Sequence, residues 1–259
     1  MAIKKYAFLS LALLTSMSKA FFCEDSCFKF YVGGDLGVGK YTIQALRGDI
    51  LDTDNDDRVA ADAICYTNSK TVFIGGGRLG LAWTGSECWY AAIEGNVHSA
   101  SGCSSLQVGC NVNKGECGTT ATYTDKTRYI AGVHAHFGYK AVEDGAIYGI
   151  VGYKYLRLER FTNFDWDSAD DQQNFDNFGI SSCLNNNGWA VGVGALMNLE
   201  CNWDIRLEAI YAGFGTKCYS DAYEFKGVLN PDDDSFKGIS GIQVKPSLFY
   251  GVVSLAYNF

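Results

Sequence analysis

The sequence has no apolar run long enough to cross a membrane as a helix. A spanning helix needs about 20 apolar residues, and the run at residues 6–14 is much shorter. Basic residues are also scarce, with 21 Lys and Arg against 29 Asp and Glu. These two shortages exclude a helical membrane protein and argue against a nucleic-acid partner, which basic residues would have to neutralise. Proline occurs twice and histidine three times, whereas Gly (30), Tyr (16), Phe (16) and Cys (10) are plentiful.

The first 20 residues have the organisation of a secretory signal peptide. Lys4 and Lys5 precede the short apolar run, and the triplet Ser18-Lys19-Ala20 has small residues at its first and last positions. Because Phe22 directly before Cys23 does not fit a lipoprotein cleavage site, we expect one mature domain at residues 21–259. Cleavage removes three lysines and no acids, so 18 basic residues remain against 29 acidic ones, a formal net charge of −11.

The mature chain alternates in polarity with a period of two, which is typical of β-strands. Near residue 207, for example, apolar Ile205 and Leu207 alternate with charged Arg206 and Glu208. Most of the alternating segments have at least the roughly 9–11 residues of a tilted membrane strand. The pattern predicts eight strands, at residues 28–40, 71–84, 89–99, 127–139, 147–156, 189–199, 203–212 and 248–259. In the fifth strand Leu156 and Leu158 share parity with Lys154, so its register is ambiguous.

The connections between these strands differ in length at the two ends. Short links fall at 85–88, 141–146 and 200–202, and long loops at 41–70, 100–126, 157–188 and 213–247. Aromatic residues of outward parity also gather at both ends, as in membrane barrels. We expect Phe30, Trp83, Trp89, Tyr139, Trp203, Tyr257 and Phe259 at the short-turn end, and Phe73, Tyr129, Tyr153, Tyr155, Trp189, Tyr211 and Phe249 at the long-loop end.

Several segments carry a resemblance to a known family. The chain ends at Phe259 with apolar Tyr257 and Leu255 two and four positions earlier, and it contains FYVGGDLGVG at 30–39, WAVGVGA at 189–195 and RLE at 206–208. In these features it resembles the small eight-stranded bacterial outer-membrane barrels, namely the OmpA-like transmembrane domain and the opacity and OmpX-type proteins. The resemblance implies an all-β, antiparallel up-and-down transmembrane barrel with four long extracellular loops, located in the outer membrane. It also implies that Leu255, Tyr257 and Phe259 form the barrel assembly signal.

The chain departs from that family in its ten cysteines and in ending where the barrel ends, so we expect no peptidoglycan-binding domain. The strand assignment places the cysteines in two groups, and compartments outside the inner membrane favour disulfides. Disulfides within the molecule, disulfides to neighbouring molecules and a metal site all stay open, although the lack of a Cys-x-x-Cys pair disfavours a metal. The disulfide candidates are Cys23, Cys27, Cys88 and Cys201 on the periplasmic side and Cys65, Cys103, Cys110, Cys117, Cys183 and Cys218 on the extracellular loops.

Two further patterns resemble functional sites only in part. Residues 52–57 place acids at alternating positions as a calcium loop does, but Asp57 replaces the turn glycine and Ala63 the final glutamate. We therefore expect a solvated acidic loop and no metal site. His98, His134 and His136 all have inward parity, without an ordered nucleophile and base beside them. We expect lumen histidines with satisfied hydrogen bonds and no catalytic residues.

Charged residues of inward parity are predicted to form a lumen ion-pair network. An eight-stranded barrel leaves an interior that side chains fill, and burying these charges unpaired would be prohibitive. We therefore expect a plugged lumen. The predicted members are Lys29, Asp35, Arg78, Glu94, Arg128, Lys140, Lys154, Asp204, Arg206 and Glu208.

Together these features predict a non-catalytic outer-membrane protein whose disulfide-ordered loops serve envelope structure, adhesion or host-surface interaction, because function concentrates on exposed loops. Two alternatives stay open. One is a narrow porin-like channel for small solutes, which would need a wider lumen or ten strands, and the other is a barrel-rim enzyme acting on lipid or peptide. The expected partners are outer-membrane lipid, the barrel assembly machinery, a host or cell-surface ligand and disulfide-linked envelope neighbours. No cofactor is expected.

Overall fold

The computed structural model describes residues 27–52, 58–59, 66–85, 88–101, 103–110, 118–142, 144–167, 178–199, 202–226 and 235–259. They form eleven β-strands of one antiparallel sheet. The strands are β1 (Cys27–Asp52), β2 (Arg58–Val59), β3 (Tyr66–Thr84), β4 (Trp89–Ser101), β5 (Cys103–Cys110), β6 (Gly118–Val142), β7 (Gly145–Asp167), β8 (Phe178–Asn198), β9 (Trp203–Phe214), β10 (Lys217–Lys226) and β11 (Ser235–Asn258).

Eight of these strands close into a barrel. Each pairs with its neighbour in the order β1, β3, β4, β6, β7, β8, β9, β11, and β11 pairs back onto β1 from Tyr31↔Asn258 to Asp52↔Gly238. Closure leaves the barrel wall without an unpaired edge, so its backbone hydrogen bonds are satisfied inside the wall. The remaining strands β2, β5 and β10 pair with β1, β6 and β11 at the long-loop end. The predicted eight-stranded antiparallel barrel is confirmed.

The short turns lie where the sequence predicts them. β3 and β4 are joined through residues 85–88, β6 and β7 through 143–144, and β8 and β9 through 199–202. Two non-glycine residues in these turns have a positive φ, Cys88 at 64° and Asn202 at 67°. Asparagine adopts this left-handed conformation more readily than most residues, which suits it to so tight a reversal.

The strands at the long-loop end are longer than predicted. β1 has 26 residues and continues to Asp52, and β6 already begins at Gly118. Much of the sequence expected to form loops therefore belongs to strands that extend the barrel wall. The physical reason is that neighbouring backbones can keep exchanging hydrogen bonds beyond the bilayer. No lipid there imposes an apolar face, so the period-two signal disappears while the strand continues.

Side chains of the barrel wall alternate between a buried inner face and an exposed outer face, most regularly along β4 and β9. The outer face carries apolar residues such as Leu36, which is 75% exposed, and Val97. Lys154, Leu156 and Leu158 are all buried in the lumen, which settles the ambiguous strand. No helix in the described ranges is long and apolar enough to cross a membrane.

Exposed aromatic residues mark both ends of the outer face, as predicted. Those at the short-turn end include Trp89, Tyr139 and Trp203, and those at the long-loop end include Phe73, Tyr153, Trp189, Tyr211 and Phe249. Several contact a partner on the next strand, for example Trp89 against Tyr139 with ring centroids 6.3 Å apart. Amphipathic rings prefer the headgroup level of a bilayer, so these two belts delimit the membrane-spanning zone.

Candidate functional site: a charge network in the barrel lumen

Arg78 is the centre of a charge network in the lumen. Its Nε donates to Asp35 Oδ1 at 2.6 Å, and its Nη1 and Nη2 donate to both carboxylate oxygens of Glu208 at 3.0 Å. Nη1 also donates to Glu94 Oε2 at 3.1 Å. One guanidinium on β3 thereby holds carboxylates from β1, β4 and β9. The fixed fork of arginine suits it to such bidentate contacts.

Glu94 on β4 joins this arginine to a second one. Its Oε2 accepts a hydrogen bond from Tyr31 Oη at 3.0 Å and lies 3.5 Å from Arg206 Nη1. The guanidinium of Arg206 stacks over the Tyr31 ring at 3.7 Å and lies 3.5 Å from Asp204. Because all of these side chains are buried, each charge needs a nearby partner to offset its lost hydration.

Three further polar side chains extend the network. His98 Nε2 is 2.7 Å from Asp35 Oδ2. Lys154 Nζ donates to Asn96 Oδ1 at 2.5 Å, and Asn96 Nδ2 in turn donates to Glu94 Oε1 at 3.2 Å. The lumen is therefore bridged by side chains from opposite parts of the wall, which supports a plugged interior.

Inward-facing glycines leave the space that these large side chains occupy. A Cβ on Gly80 would lie 2.5 Å from the ring of Tyr31, and a Cβ on Gly132 would lie 2.5 Å from Lys154 Cδ. Gly152 likewise leaves room for His134. Part of the high glycine content thus follows from packing long polar side chains into a narrow barrel.

Seven of the ten predicted network members are buried in the lumen: Asp35, Arg78, Glu94, Lys154, Asp204, Arg206 and Glu208. Lys29 and Lys140 instead line a cavity of about 30 Å³ at the short-turn end. Neither of these two lysines forms an ion pair within the part of the chain that the structure describes. They stand at the mouth of the lumen, outside the network.

The assignment of Arg128 to the lumen is wrong. Its side chain is 55% exposed and pairs with Glu159 at 2.7 Å on the outer face. The cause is a register shift between Thr127 and Tyr129, where β6 has one residue more than β7. Such a bulge reverses the inward and outward parity beyond it, so Asp125 becomes buried and binds Arg160 through two hydrogen bonds of 2.6 and 2.7 Å.

Sequence reasoning missed the neutral members of the network. Tyr31, Asn96 and Tyr148 each bond a charged group, and Tyr148 Oη donates to Glu208 Oε1 at 2.7 Å. The alternation of the sequence shows that these three residues face inward. It does not show which charged group an uncharged side chain will bond. The Asp125–Arg160 pair was missed because both residues lay in predicted loops.

The three histidines lie deep in the lumen. His98 bonds Asp35, and His134 Nδ1 is 3.2 Å from Asn96 Nδ2. His136 stacks on Tyr148, with ring centroids 5.0 Å apart and planes at 10°. Neither ring nitrogen of His136 has a hydrogen-bond partner among the described residues. His98 Nδ1 and His134 Nε2 also lack a hydrogen-bond partner among the described residues. The expectation of satisfied histidines is therefore wrong for one nitrogen of His98 and of His134 and for both nitrogens of His136, where stacking on Tyr148 takes the place of hydrogen bonding.

Cys88 and Cys183 both have free thiols in the structure, so disulfide pairing is not seen at these two positions. Cys27, Cys103, Cys110 and Cys218 lie in β1, β5, β5 and β10. Cys23, Cys65, Cys117 and Cys201 lie outside the described residues, as do the predicted signal peptide and most of the acidic stretch at 52–57. The disulfide prediction for these eight cysteines stays a prediction.

The residues of the predicted assembly signal lie on the outer face of β11 and at the end of the chain. Leu255 is exposed, and the Tyr257 ring packs against Trp203 and Phe259 with centroids 5.2 and 5.0 Å apart. Phe259 also contacts Phe30 on β1 at 5.7 Å. This aromatic cluster covers the seam where the last strand meets the first.

A closed eight-stranded barrel with an apolar outer face, two aromatic belts and a charged lumen is a transmembrane β-barrel. Residues 6–244 match the family model of the outer membrane protein beta-barrel domain. The chain belongs to this family, and the protein is located in the bacterial outer membrane. A search of curated protein sequences finds no match.

Among solved structures the chain is similar to outer-membrane proteins of several bacteria. For Ail, the attachment invasion locus protein of Yersinia pestis, the identity is 14%, the match covers 87% of this chain and 99% of Ail, and the TM-score is 0.33. For the outer membrane protease OmpT from Escherichia coli the identity is 14%, the match covers 89% of this chain and 97% of OmpT, and the TM-score is 0.40. For the outer membrane protein OprG from Pseudomonas aeruginosa the identity is 15%, the match covers 88% of this chain and 96% of OprG, and the TM-score is 0.32.

Proposed function

We propose that this protein is a non-catalytic scaffold of the outer membrane, with a closed lumen and a long-loop end that serves envelope structure or adhesion. The observation that carries the proposal is the filled lumen. Arg78 alone bridges carboxylates from three strands across the interior. Because a packed network fills the interior of the barrel, its outer end is the surface that remains for contact with other molecules.

The extended wall at the long-loop end supports this role. β1, β6, β7, β8 and β11 all continue beyond the outer aromatic belt, and β5 and β10 add to them. Paired strands present their loops from a stiff base, which lowers the ordering cost when a partner binds. We propose a host or cell-surface ligand, envelope neighbours and outer-membrane lipid as partners. Disulfides among the remaining extracellular candidates, Cys65, Cys103, Cys110, Cys117 and Cys218, would further restrict the loops.

The two other functions have weaker support. A channel would require the Arg78 network to move aside, since the cavity at the short-turn end holds only about 30 Å³. A rim enzyme would require a base at the rim, but His98, His134 and His136 are buried within the barrel. The position of these side chains therefore favours the scaffold.

Two measurements test the proposal. Purified, refolded protein in a planar bilayer should give no discrete conductance, and reproducible channels would favour the porin-like alternative. A laboratory bacterium that displays the protein should bind cultured epithelial cells more than the same bacterium displaying a variant that lacks residues 103–126. Equal attachment of the two strains, at equal surface abundance, would contradict the adhesive role and leave a structural one.

A further inference from the structure

Glu94, His134 and His136 form a buried cluster that the charge network does not explain. Each residue offers one ligand atom, and these atoms lie within 4.8 Å of one another. All three side chains are buried, with Glu94 and His136 fully so. We propose that this cluster is a binding site for one divalent transition-metal ion of the Zn²⁺ type inside the lumen. The inference goes beyond the scaffold role and does not depend on it.

The unused nitrogens of the histidines are the first argument. Both ring nitrogens of His136 and Nε2 of His134 lack a hydrogen-bond partner among the described residues. A buried polar atom left without a partner costs about 1–3 kcal/mol. Each neutral imidazole carries one lone pair, so a metal ion would bind one nitrogen of each ring and remove the cost of an unpartnered atom there.

The two carboxylate oxygens of Glu94 face different groups: Oε2 contacts the charge network, and Oε1 lies on the side of the histidines. Oε2 accepts from Tyr31 and Arg78 and faces Arg206. Oε1 accepts only the 3.2 Å bond from Asn96 among the described residues, and it lies 3.9 Å from His134 Nδ1. The network therefore fixes the carboxylate while leaving one oxygen on the histidine side, as supporting hydrogen bonds do around metal ligands.

The charge balance of the buried network favours a cation. The buried network contains four acids, Asp35, Glu94, Asp204 and Glu208, and three bases, Arg78, Lys154 and Arg206. With neutral histidines this gives three minus four, a formal charge of −1. An excess negative charge in a low-dielectric interior is costly, and a cation next to Glu94 offsets it.

The donor set indicates the kind of metal. Two imidazoles with one carboxylate suit Zn²⁺ and similar first-row ions, whereas Ca²⁺ and Mg²⁺ prefer all-oxygen sites. Bonds of about 2.1 Å place tetrahedral ligands roughly 3–4 Å apart, so modest side-chain rotations would close the present separations. Water can complete the coordination. The Tyr148 ring stacks on His136 and contacts Tyr90, which lines the cavity at the short-turn end.

The experiment uses the full folded chain in detergent with its thiols blocked by N-ethylmaleimide, so that cysteines cannot bind the metal. After treatment with EDTA, ZnCl₂ is titrated by calorimetry. We expect one ion per chain, at least tenfold weaker binding in His136→Gln, and unchanged binding in the matched control His98→Gln, since His98 lies outside the cluster. Absence of binding, or equal binding by wild type and His136→Gln, would overturn the proposal.

A second measurement needs no variant and covers the case in which His136→Gln does not fold. Co²⁺ added to the thiol-blocked wild type should give the visible absorption of a tetrahedral nitrogen and oxygen site, and Zn²⁺ should displace it. MgCl₂ at the same concentration should not. A spectrum equal to that of aqueous Co²⁺ would refute the site.

Discussion

Replacement of Arg78 by Met tests whether the lumen network holds the barrel together. The change keeps an unbranched apolar stem but removes the guanidinium that contacts Asp35, Glu94 and Glu208 at 2.6 to 3.1 Å. Because the arginine side chain is only 1% exposed, water cannot replace it. Removing one member of a buried ion pair costs about 3–5 kcal/mol, which corresponds to roughly two to four orders of magnitude in the unfolding equilibrium.

In Arg78→Met the carboxylates of Asp35 and Glu208 keep some of their hydrogen-bond partners, and this limits the expected loss of stability. Asp35 keeps His98, and Glu208 keeps Tyr148, so we do not expect a separate full penalty for each acid. The formal charge of the network falls from −1 to −2, and Arg78→Met should lower the free energy of unfolding by about 3–5 kcal/mol.

The assay is reversible urea unfolding in lipid vesicles, followed by tryptophan fluorescence. The control is Arg128→Met, which removes an exposed arginine with one ion pair on the outer face and should leave the midpoint unchanged. Combining Arg78→Met with Glu208→Gln should recover part of the loss, with a coupling of about 0.5–3 kcal/mol. A loss below about 1 kcal/mol in Arg78→Met, or an equal loss in Arg128→Met, would refute the reasoning.

Three further predictions concern the lumen, the wall and the thiols. Arg206→Ala removes a second buried cation, so the barrel should unfold at lower urea or conduct in a planar bilayer; neither change would count against the network. Gly138→Ala puts a Cβ against a backbone carbonyl of the next strand and should cost about 1–3 kcal/mol, whereas Gly95→Ala meets nothing within 4 Å and should be tolerated; equal unfolding midpoints would contradict this. Cys183, exposed at the long-loop end, should react with an impermeant maleimide on intact cells, and Cys88 at the opposite end only after permeabilisation; the reverse labelling would invert the topology.

The eight wall strands, the short turns and the aromatic belts could be predicted because the bilayer imposes a simple rule on each strand separately. A residue that faces lipid must be apolar, and its neighbours along the strand face the lumen. Val97 and His98, for example, follow this rule without reference to any other strand. The parity of most charged lumen residues follows in the same way.

The bonds between those residues required the closed barrel. Arg78 and Glu208 are 130 positions apart, and only the wall's register brings them together. The bulge that turns Arg128 outward also depends on pairing with β7. The unpartnered nitrogens of His136 depend on how Tyr148 packs. The sequence by itself therefore determined the membrane-spanning barrel, because lipid acts on each strand locally. The tertiary structure decided the network, the bulge and the Glu94 cluster, because those depend on distances between strands that are remote in the chain.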